Sequence, residues 1–350
     1  MGKKKKTTLP KNFEELLENG NIDDIKAVFD HCELDARGGN RKHTTIGFIK
    51  CPDLVIQWLV EQGADLNATD TWGDTALHQR SRSRISNIKI LLELGADLHF
   101  KNQSGETPLH TAALAQNPKA YEMLLQKSAN LHERNNRGLT ALELALSTCS
   151  NSEIENTLAI TQLSLRAGAK MTPMMNVCVE EIGKQFEFHR KNFDPDSVHK
   201  VSQALQNLYE IFNIKPIEKR IEFDGKSPII LKSQSWQNQF EELWNLLVPS
   251  TGQASTTQGE LIRISGRISN EIEGNGGINW DKDFSLMAES FYLLINSGNK
   301  LSSDEMKNLK SVISNIKARN GETDLLKQSA VKWVIQNSLP TKLSPQPYKR

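Results

Sequence analysis

The sequence predicts a mainly α-helical protein in which a helical repeat array is followed by a second, mostly helical domain. Two sequence motifs recur in phase every 32 or 33 residues between residues 59 and 143, which is typical of stacked helical repeats. From about residue 173 the repeats stop, and apolar residues follow three- and four-residue steps over longer stretches. With 350 residues, the chain is long enough for two cores. We therefore expect a disordered basic tail over 1–11, a repeat domain over 12–172, a helical domain over 173–340 and a second tail over 341–350.

Two short motifs mark each repeat. The first is Gly-Asp-Thr-Ala-Leu-His at residues 73–78, and it recurs as Gly-Glu-Thr-Pro-Leu-His at 105–110 and more loosely at 138–143. The second contains Leu-Leu-Glu-Leu-Gly-Ala-Asp at 91–97, with related segments at 59–65, 124–130 and 165–169. Two motifs that share one period rarely arise by chance, so they determine the architecture expected for this half.

One copy of the repeat indicates how the unit folds. Pro108 suits the first turn of a helix, where its missing N–H is not needed. The small side chains of Ala112 and Ala113 allow a second helix to approach closely, and Leu124 and Leu125 supply that helix with its buried face. Polar, turn-rich residues between repeats favour hairpins that project from the stack. The unit resembles the ankyrin repeat over residues 12–172, beginning with an amino-terminal capping repeat and a degenerate copy.

The resemblance implies an ankyrin solenoid that recognises a protein partner, so we expect a scaffold or adaptor with the second domain as effector or docking module. Exposed loops on a rigid stack commonly carry binding. The expected contact residues at the hairpin tips are Asp70, Thr71, Trp72, Gln103, Ser104, Asn136 and Arg137. Trp72 is the best single anchor, because it is a large aromatic residue at a position where the repeat motif requires only a turn. The resemblance also implies a structural, hydrogen-bonding role for His78 and His110.

One repeat departs from the pattern. Arg80 and Ser81 stand where the next repeat has Ala112 and Ala113, and Arg82 and Arg84 follow. Two interpretations remain open. The arginines form a solvated turn, or they bind an anion or an acidic partner segment beside Trp72. A buried arginine would need a partner in either case.

The sequence after residue 173 predicts a series of helices. Asp194-Pro195 favours a helix start, and an aromatic-rich helix is expected over 233–247, followed by helices near 260–271, 283–296, 302–318 and 322–337. Apolar residues around an Asp-Gly pair favour a small β-hairpin within 217–231. In the helix near 260–271, Arg263, Arg267 and Asn270 belong either to an ion-paired solvated face or to an anion pocket. Residues 258–284 resemble segments of uncharacterised bacterial proteins, which implies a bacterial or phage setting.

Composition and missing motifs argue against several classes. Forty-three basic residues balance 42 acidic ones, so nucleic-acid binding through the Arg80, Arg82 and Arg84 cluster and the lysine tail is only an alternative. The four cysteines are far apart, and neither a phosphate loop nor a membrane span is recognisable. We expect no cofactor, no metal, no membrane partner and a cytoplasmic location. An enzyme with its site in 173–340 is the main alternative, although no catalytic residue can be assigned from spacing.

Overall fold

The computed structural model describes residues 4–85, 88–221 and 223–350. The chain forms two compact units. Unit 1 extends to Phe186 and includes Phe193–Ile217, while unit 2 comprises Glu187–Asn192 and Glu218–Arg350. The predicted fold class is confirmed, because the described residues form sixteen α-helices and one small three-stranded sheet. The units divide near residue 218 rather than at the expected 172–173, since the helices that follow the repeats pack into the core of unit 1.

Unit 1 begins with an element that the sequence did not predict. Strands β1 (Lys6–Thr8), β2 (Cys32–Gly38) and β3 (His43–Thr44) form a sheet in that order, with β1 parallel and β3 antiparallel to β2. Helices α1 (Phe13–Asn19) and α2 (Ile22–Ala27) lie between β1 and β2 in the chain. The prediction of a disordered tail over 1–11 is therefore wrong for the described residues of that segment, and residues 1–3 lie outside them. The Lys6 amide donates to the His31 carbonyl at 2.9 Å, and Leu9 is buried.

The repeats follow as helix pairs joined by projecting loops. Helix α3 (Asp53–Glu61) precedes three pairs. These pairs are α4 (Ala76–Arg82) with α5 (Lys89–Glu93), α6 (Pro108–Leu114) with α7 (Pro118–Gln126), and α8 (Ala141–Ser147) with α9 (Ile154–Arg166). Helices α4, α6 and α8 pack side by side. Ala112 and Ala113 are fully buried in α6, as the small residues of the motif predicted.

Two longer helices follow the repeats, and the first of them belongs to unit 1 as far as Phe186. Helix α10 spans Pro173–His189 and α11 spans Pro195–Phe212, and α11 packs against α9 at the end of the repeat stack. The Asp194 carboxylate caps α11 by accepting from the Ser197 amide at 3.1 Å, which satisfies one of the free donors of the first turn. Leu205 and Leu208 are buried in the same core as the repeats. The apolar end of the array is thus covered by the next segment of the chain.

Unit 2 is built around one central helix. Its helices are α12 (Trp236–Leu247), α13 (Thr257–Ser269), α14 (Lys282–Ile295), α15 (Ser303–Lys317) and α16 (Asp324–Gln336). Helix α13 packs against α12, α14 and α16, and Leu261, Ile264 and Ile268 are fully buried. A π-helical turn over Asn270–Gly274 continues α13. None of the helices in the described residues is long and apolar enough to cross a membrane.

Two expectations for unit 2 are wrong. The described residues of 217–231 contain no strand, and residue 222 lies outside them. Asp224 instead closes a turn by accepting from the amides of Lys226 and Ser227, both at 2.8 Å. The residues after the turn do not pair back on those before it, because the Ile229 amide donates to the Ser338 carbonyl at 2.9 Å.

The segment 341–350 is not a loose tail either. The Thr257 amide donates to the Thr341 carbonyl at 2.8 Å, and the Leu343 amide donates to the Ser255 carbonyl at 3.1 Å. Tyr348 is buried in the core of unit 2. This segment, which we call the C-terminal strap, therefore belongs to the fold of unit 2.

Candidate functional site

The projecting loops of the repeats are joined into one continuous ladder. The Thr71 amide donates to the Arg41 carbonyl at 3.0 Å, the Gln103 amide to the Trp72 carbonyl at 3.1 Å and the Asn136 amide to the Ser104 carbonyl at 2.9 Å. Six side chains predicted to bind a partner are exposed along this ladder. We call them the tip row: Thr71, Trp72, Gln103, Ser104, Asn136 and Arg137.

Close contacts between loops keep the tip row in place. The Asn136 side-chain amide donates to the Gln103 carbonyl at 2.9 Å, and the Gln103 side-chain amide donates to the Thr71 carbonyl at 3.1 Å. Gly105 has a φ of +69°, and a Cβ atom there would lie 2.3 Å from the Asn136 side-chain oxygen. The loops therefore require glycine at this position for both conformation and space.

Asp70 does not belong to the exposed surface. Its carboxylate accepts from the amides of Trp72 at 2.8 Å and Asp74 at 2.9 Å, and the side chain is buried. Asn102 and Asn135 hold the next two loops in the same way. The prediction that Asp70 contacts a partner is therefore wrong. The recurrence of Asp70, Asn102 and Asn135 at the repeat period is the sequence signal that could have revealed their structural role.

Trp72 occupies the position predicted for an anchor. Its side chain is 59% exposed, whereas its backbone carbonyl accepts from the next loop. An aromatic side chain held outward on a hydrogen-bonded loop is a feature typical of interface anchors. The side chain has not folded into the core, so its exposure is the most distinctive property of the tip row.

The arginines predicted to bind beside Trp72 bond instead to other residues of unit 1. Arg80 is buried, and its guanidinium donates to the carbonyls of Phe48 at 3.0 Å and Cys51 at 2.8 Å. Neither the solvated turn nor partner contact applies to Arg80, because its guanidinium is buried and bonded to these two carbonyls of the fold.

Arg82 and Arg84 also have partners inside unit 1. Arg82 donates to the Asp74 carboxylate at 3.0 Å, and Arg84 pairs with Glu153 at 2.8 Å. Both guanidinium groups remain partly exposed. The three arginines therefore do not form a shared anion site.

The motif histidines have the structural role that the resemblance implied. Nδ1 of His78 accepts from the Thr75 amide at 3.2 Å, and its Nε2 lies 2.9 Å from the Glu106 carbonyl of the next repeat. His110 repeats both contacts with Thr107 and Leu139. Burial lowers the pKa of both imidazoles, which favours the neutral form that these contacts need.

Unit 2 contains a second candidate site, a cavity of about 590 Å³. Its lining includes Arg267 and Asn270, two of the three residues predicted for an anion pocket. The third, Arg263, is buried behind the lining. It donates to both carboxylate oxygens of Glu260, at 2.8 and 2.6 Å, and to the Arg350 carbonyl at 2.9 Å. Arg263 is therefore part of an internal ion pair, so the pocket prediction is wrong for this residue.

The C-terminal strap completes this ion pair. The Tyr348 hydroxyl donates to Glu260 at 2.5 Å, and burial together with the Glu260 charge raises the pKa of that hydroxyl. Arg350 lines the cavity and pairs with Asp281 at 2.7 Å. Sequence reasoning missed the strap, because proline-bearing terminal residues gave no helical or strand signal.

Repeated helix pairs joined by a ladder of projecting loops define unit 1 as a helical-repeat array. A family model described as ankyrin repeats, in three copies, matches residues 48–135 and 81–167, so this part of the chain is an ankyrin-repeat array. No curated protein matches the chain. All matched residues lie in unit 1, and the bacterial origin and cytoplasmic location inferred from the sequence stay predictions.

Proposed function

We propose that the ankyrin-repeat unit binds a protein partner through the tip row, with Trp72 as the central anchor. Ankyrin repeats are in general protein–protein interaction modules. The main support for the proposal is that the Trp72 side chain is 59% exposed although the backbone of its loop is hydrogen-bonded to the next loop. A rigid anchor loses little conformational entropy on binding, so its buried area contributes efficiently to affinity.

The charges around the tip row favour an acidic partner segment. Lys42 and Arg137 are exposed, and neither side chain has an ion-pair partner among residues 4–85, 88–221 and 223–350. Arg41 is half exposed and lies 3.7 Å from Asp74. An apolar or aromatic side chain packed on Trp72, with a carboxylate beside it, would match this arrangement. Arg80 has no part in this binding.

Substitution of Trp72 by alanine tests the proposal. The full chain is used to capture its partner, and the recovered protein is then titrated directly against wild type, Trp72→Ala and the control Leu54→Ala, which removes another exposed apolar side chain. We expect Trp72→Ala to weaken binding by about 30-fold or more, in line with ~2 kcal/mol for an anchor residue. The melting temperature should match that of the control. A lowered melting temperature with unchanged affinity would show that Trp72 merely stiffens its loop.

Unit 2 is proposed as a second functional module, either an effector or a further docking site. Support comes from its separate core and from a cavity that carries charged groups.

A further inference from the structure

We propose that the cavity of unit 2 binds a small organic carboxylate with a flat apolar body. This function lies beyond partner binding by the ankyrin repeats and rests on residues of unit 2 alone. The cavity of about 590 Å³ has the size of a small-molecule site.

The apolar wall of the cavity is aromatic. Phe240, Trp244 and Phe284 line it. Helix α13 has Gly266 opposite Trp244, and a Cβ atom at Gly266 would lie 2.2 Å from the indole ring. The absence of a side chain therefore lets Trp244 lie against α13. Such a wall favours a flat ligand that can stack on aromatic faces.

Most charged groups in the wall already have hydrogen-bond or ion-pair partners. Arg350 donates to the Asp281 carboxylate at 3.1 and 2.7 Å. Glu271 accepts from the Asn279 amide at 2.6 Å and from the Asn275 side chain at 3.1 Å. These groups need no ligand to satisfy them, so they do not determine what the cavity binds.

Arg267 is the exception. Its side chain is half-buried in the lining, and it has no hydrogen bond or ion pair within the part of the chain that the structure describes. Burial and the nearby charges of Arg263 and Arg350 lower its pKa. The Arg267 guanidinium therefore lies where burial and like charges disfavour its positive charge. An anion bound in the cavity would offset this unfavourable energy.

The balance of charge selects a monoanion. Of the two arginines in the lining, Arg350 is paired with Asp281 and Arg267 has no carboxylate partner among the described residues, while the charge of Glu271 in the same wall would repel a second negative charge. A carboxylate fits the planar fork of arginine with two parallel hydrogen bonds. The amide of Asn270, which also lines the cavity, is a further donor for the same group. A phosphate monoester, with nearly two charges, fits this wall less well.

Calorimetric titration of the full chain with 2-naphthoate tests the proposal. The neutral isostere 2-naphthamide separates charge recognition from stacking. Arg319→Gln is the matched control, because Arg319 is an exposed arginine of unit 2 outside the cavity lining. We expect saturable binding of 2-naphthoate to wild type and to the control. Arg267→Gln should weaken binding by about tenfold or more, and 2-naphthamide should bind wild type with a similar loss.

A second measurement separates binding from a structural role. Because the Arg267 charge is unfavourable at its half-buried position, Arg267→Gln should melt at the same temperature as wild type or higher. Arg267→Lys keeps the charge and should recover part of the affinity.

Several results would overturn the proposal. They are absence of 2-naphthoate binding to wild type, equal binding of the acid and the amide, unchanged affinity in Arg267→Gln, and tighter binding of inorganic phosphate than of 2-naphthoate. If both Arg267 variants fail to fold, Arg267 has a structural role, and this result would also overturn the proposal. None of these outcomes depends on whether the tip row binds a protein.

Discussion

His78 and His110 illustrate how single residues connect one repeat to the next. Each imidazole bonds to the start of its own helix and to a carbonyl of the following repeat. Both contacts use the neutral ring with its proton on Nε2, since Nδ1 accepts from a backbone N–H. Repeat stacking therefore depends on the protonation state of these side chains.

Acidification should destabilise the repeats. The pKa values of His43, His78 and His110 are all lowered from 6.5, mainly by burial. The unfolded chain then binds protons that the folded chain excludes, so the stability contributed by these histidines is present above pH 6.5 and is lost as the pH falls below it. Each histidine contributes at most ~1.4 kcal/mol per pH unit.

Hydrogen exchange of the amides in α4 and α6, corrected for intrinsic rates, measures this effect between about pH 7.5 and about pH 5.5. The variant His78→Gln/His110→Gln should show a weaker pH dependence than wild type. Glu143, whose pKa is lowered from 4.5, titrates below this window. An unchanged pH dependence in the variant would contradict the assignment.

Arg80 should be a stability residue. Its replacement by methionine keeps the apolar stem but leaves the buried carbonyls of Phe48 and Cys51 without these donors. We expect Arg80→Met to lower the free energy of unfolding by about 2–4 kcal/mol. Arg82→Met is the control, and it should cost less than about 1 kcal/mol because Arg82 is partly exposed and Asp74 keeps other donors. Equal denaturation midpoints for the two variants would refute this role.

At the scale of elements, the repeats could be predicted and the irregular parts could not. Local sequence patterns predicted the repeat helices and the start of α11. The patterns are the phased motifs, the small pair Ala112-Ala113 and the pair Asp194-Pro195. The structure contains helices at the positions that these patterns indicate. Strands β1 and β3 contain only three and two residues, and β1 pairs with β2 at Lys6–Cys32 and Thr8–Arg37, far along the chain, so no local periodicity marks them. The same holds for the C-terminal strap, whose Tyr348 hydroxyl bonds to Glu260 on α13, 88 positions earlier in the chain.

Gly266 allows helix α13 to pack closely against α12. An alanine there would overlap the Trp244 ring, so Gly266→Ala should cost about 1–3 kcal/mol. At an open helix position the same change would stabilise by roughly 1 kcal/mol. Urea denaturation of Gly266→Ala, Trp244→Phe and the double variant measures the coupling. The cost of the alanine should shrink in the Trp244→Phe background. A rise in stability on adding the alanine alone would contradict the close contact.

At the scale of the whole molecule, the chain comprises two compact units, each with its own core. The exposure of the tip-row side chains was largely predictable from repeat position, whereas the burial of Asp70 was not. Whether Arg80 and Arg263 were exposed could not be predicted, because their burial depends on carbonyls and carboxylates brought together only by folding.

The C-terminal strap should be essential to unit 2. Deletion of residues 341–350 removes the buried Tyr348 ring and a donor to Glu260, so the unfolding free energy of unit 2 should fall by about 3–5 kcal/mol. Hydrogen exchange in α13 measures the loss. Lys349→Gln, an exposed change within the strap, serves as the control. A truncated chain with wild-type protection in α13 would mean that the segment is a loose tail after all.

Site-specific photo-crosslinking shows directly whether a bound partner contacts the tip row. A p-benzoylphenylalanine is placed in the full chain at Trp72, Gln103 or Arg137 of the tip row, and at Leu54 or Val177, which are exposed apolar positions elsewhere in unit 1. Partner binding through the tip row predicts one and the same crosslinked protein from the three tip positions and none from Leu54 or Val177. Crosslinking of that protein at the control positions but not at the tip row would contradict the account.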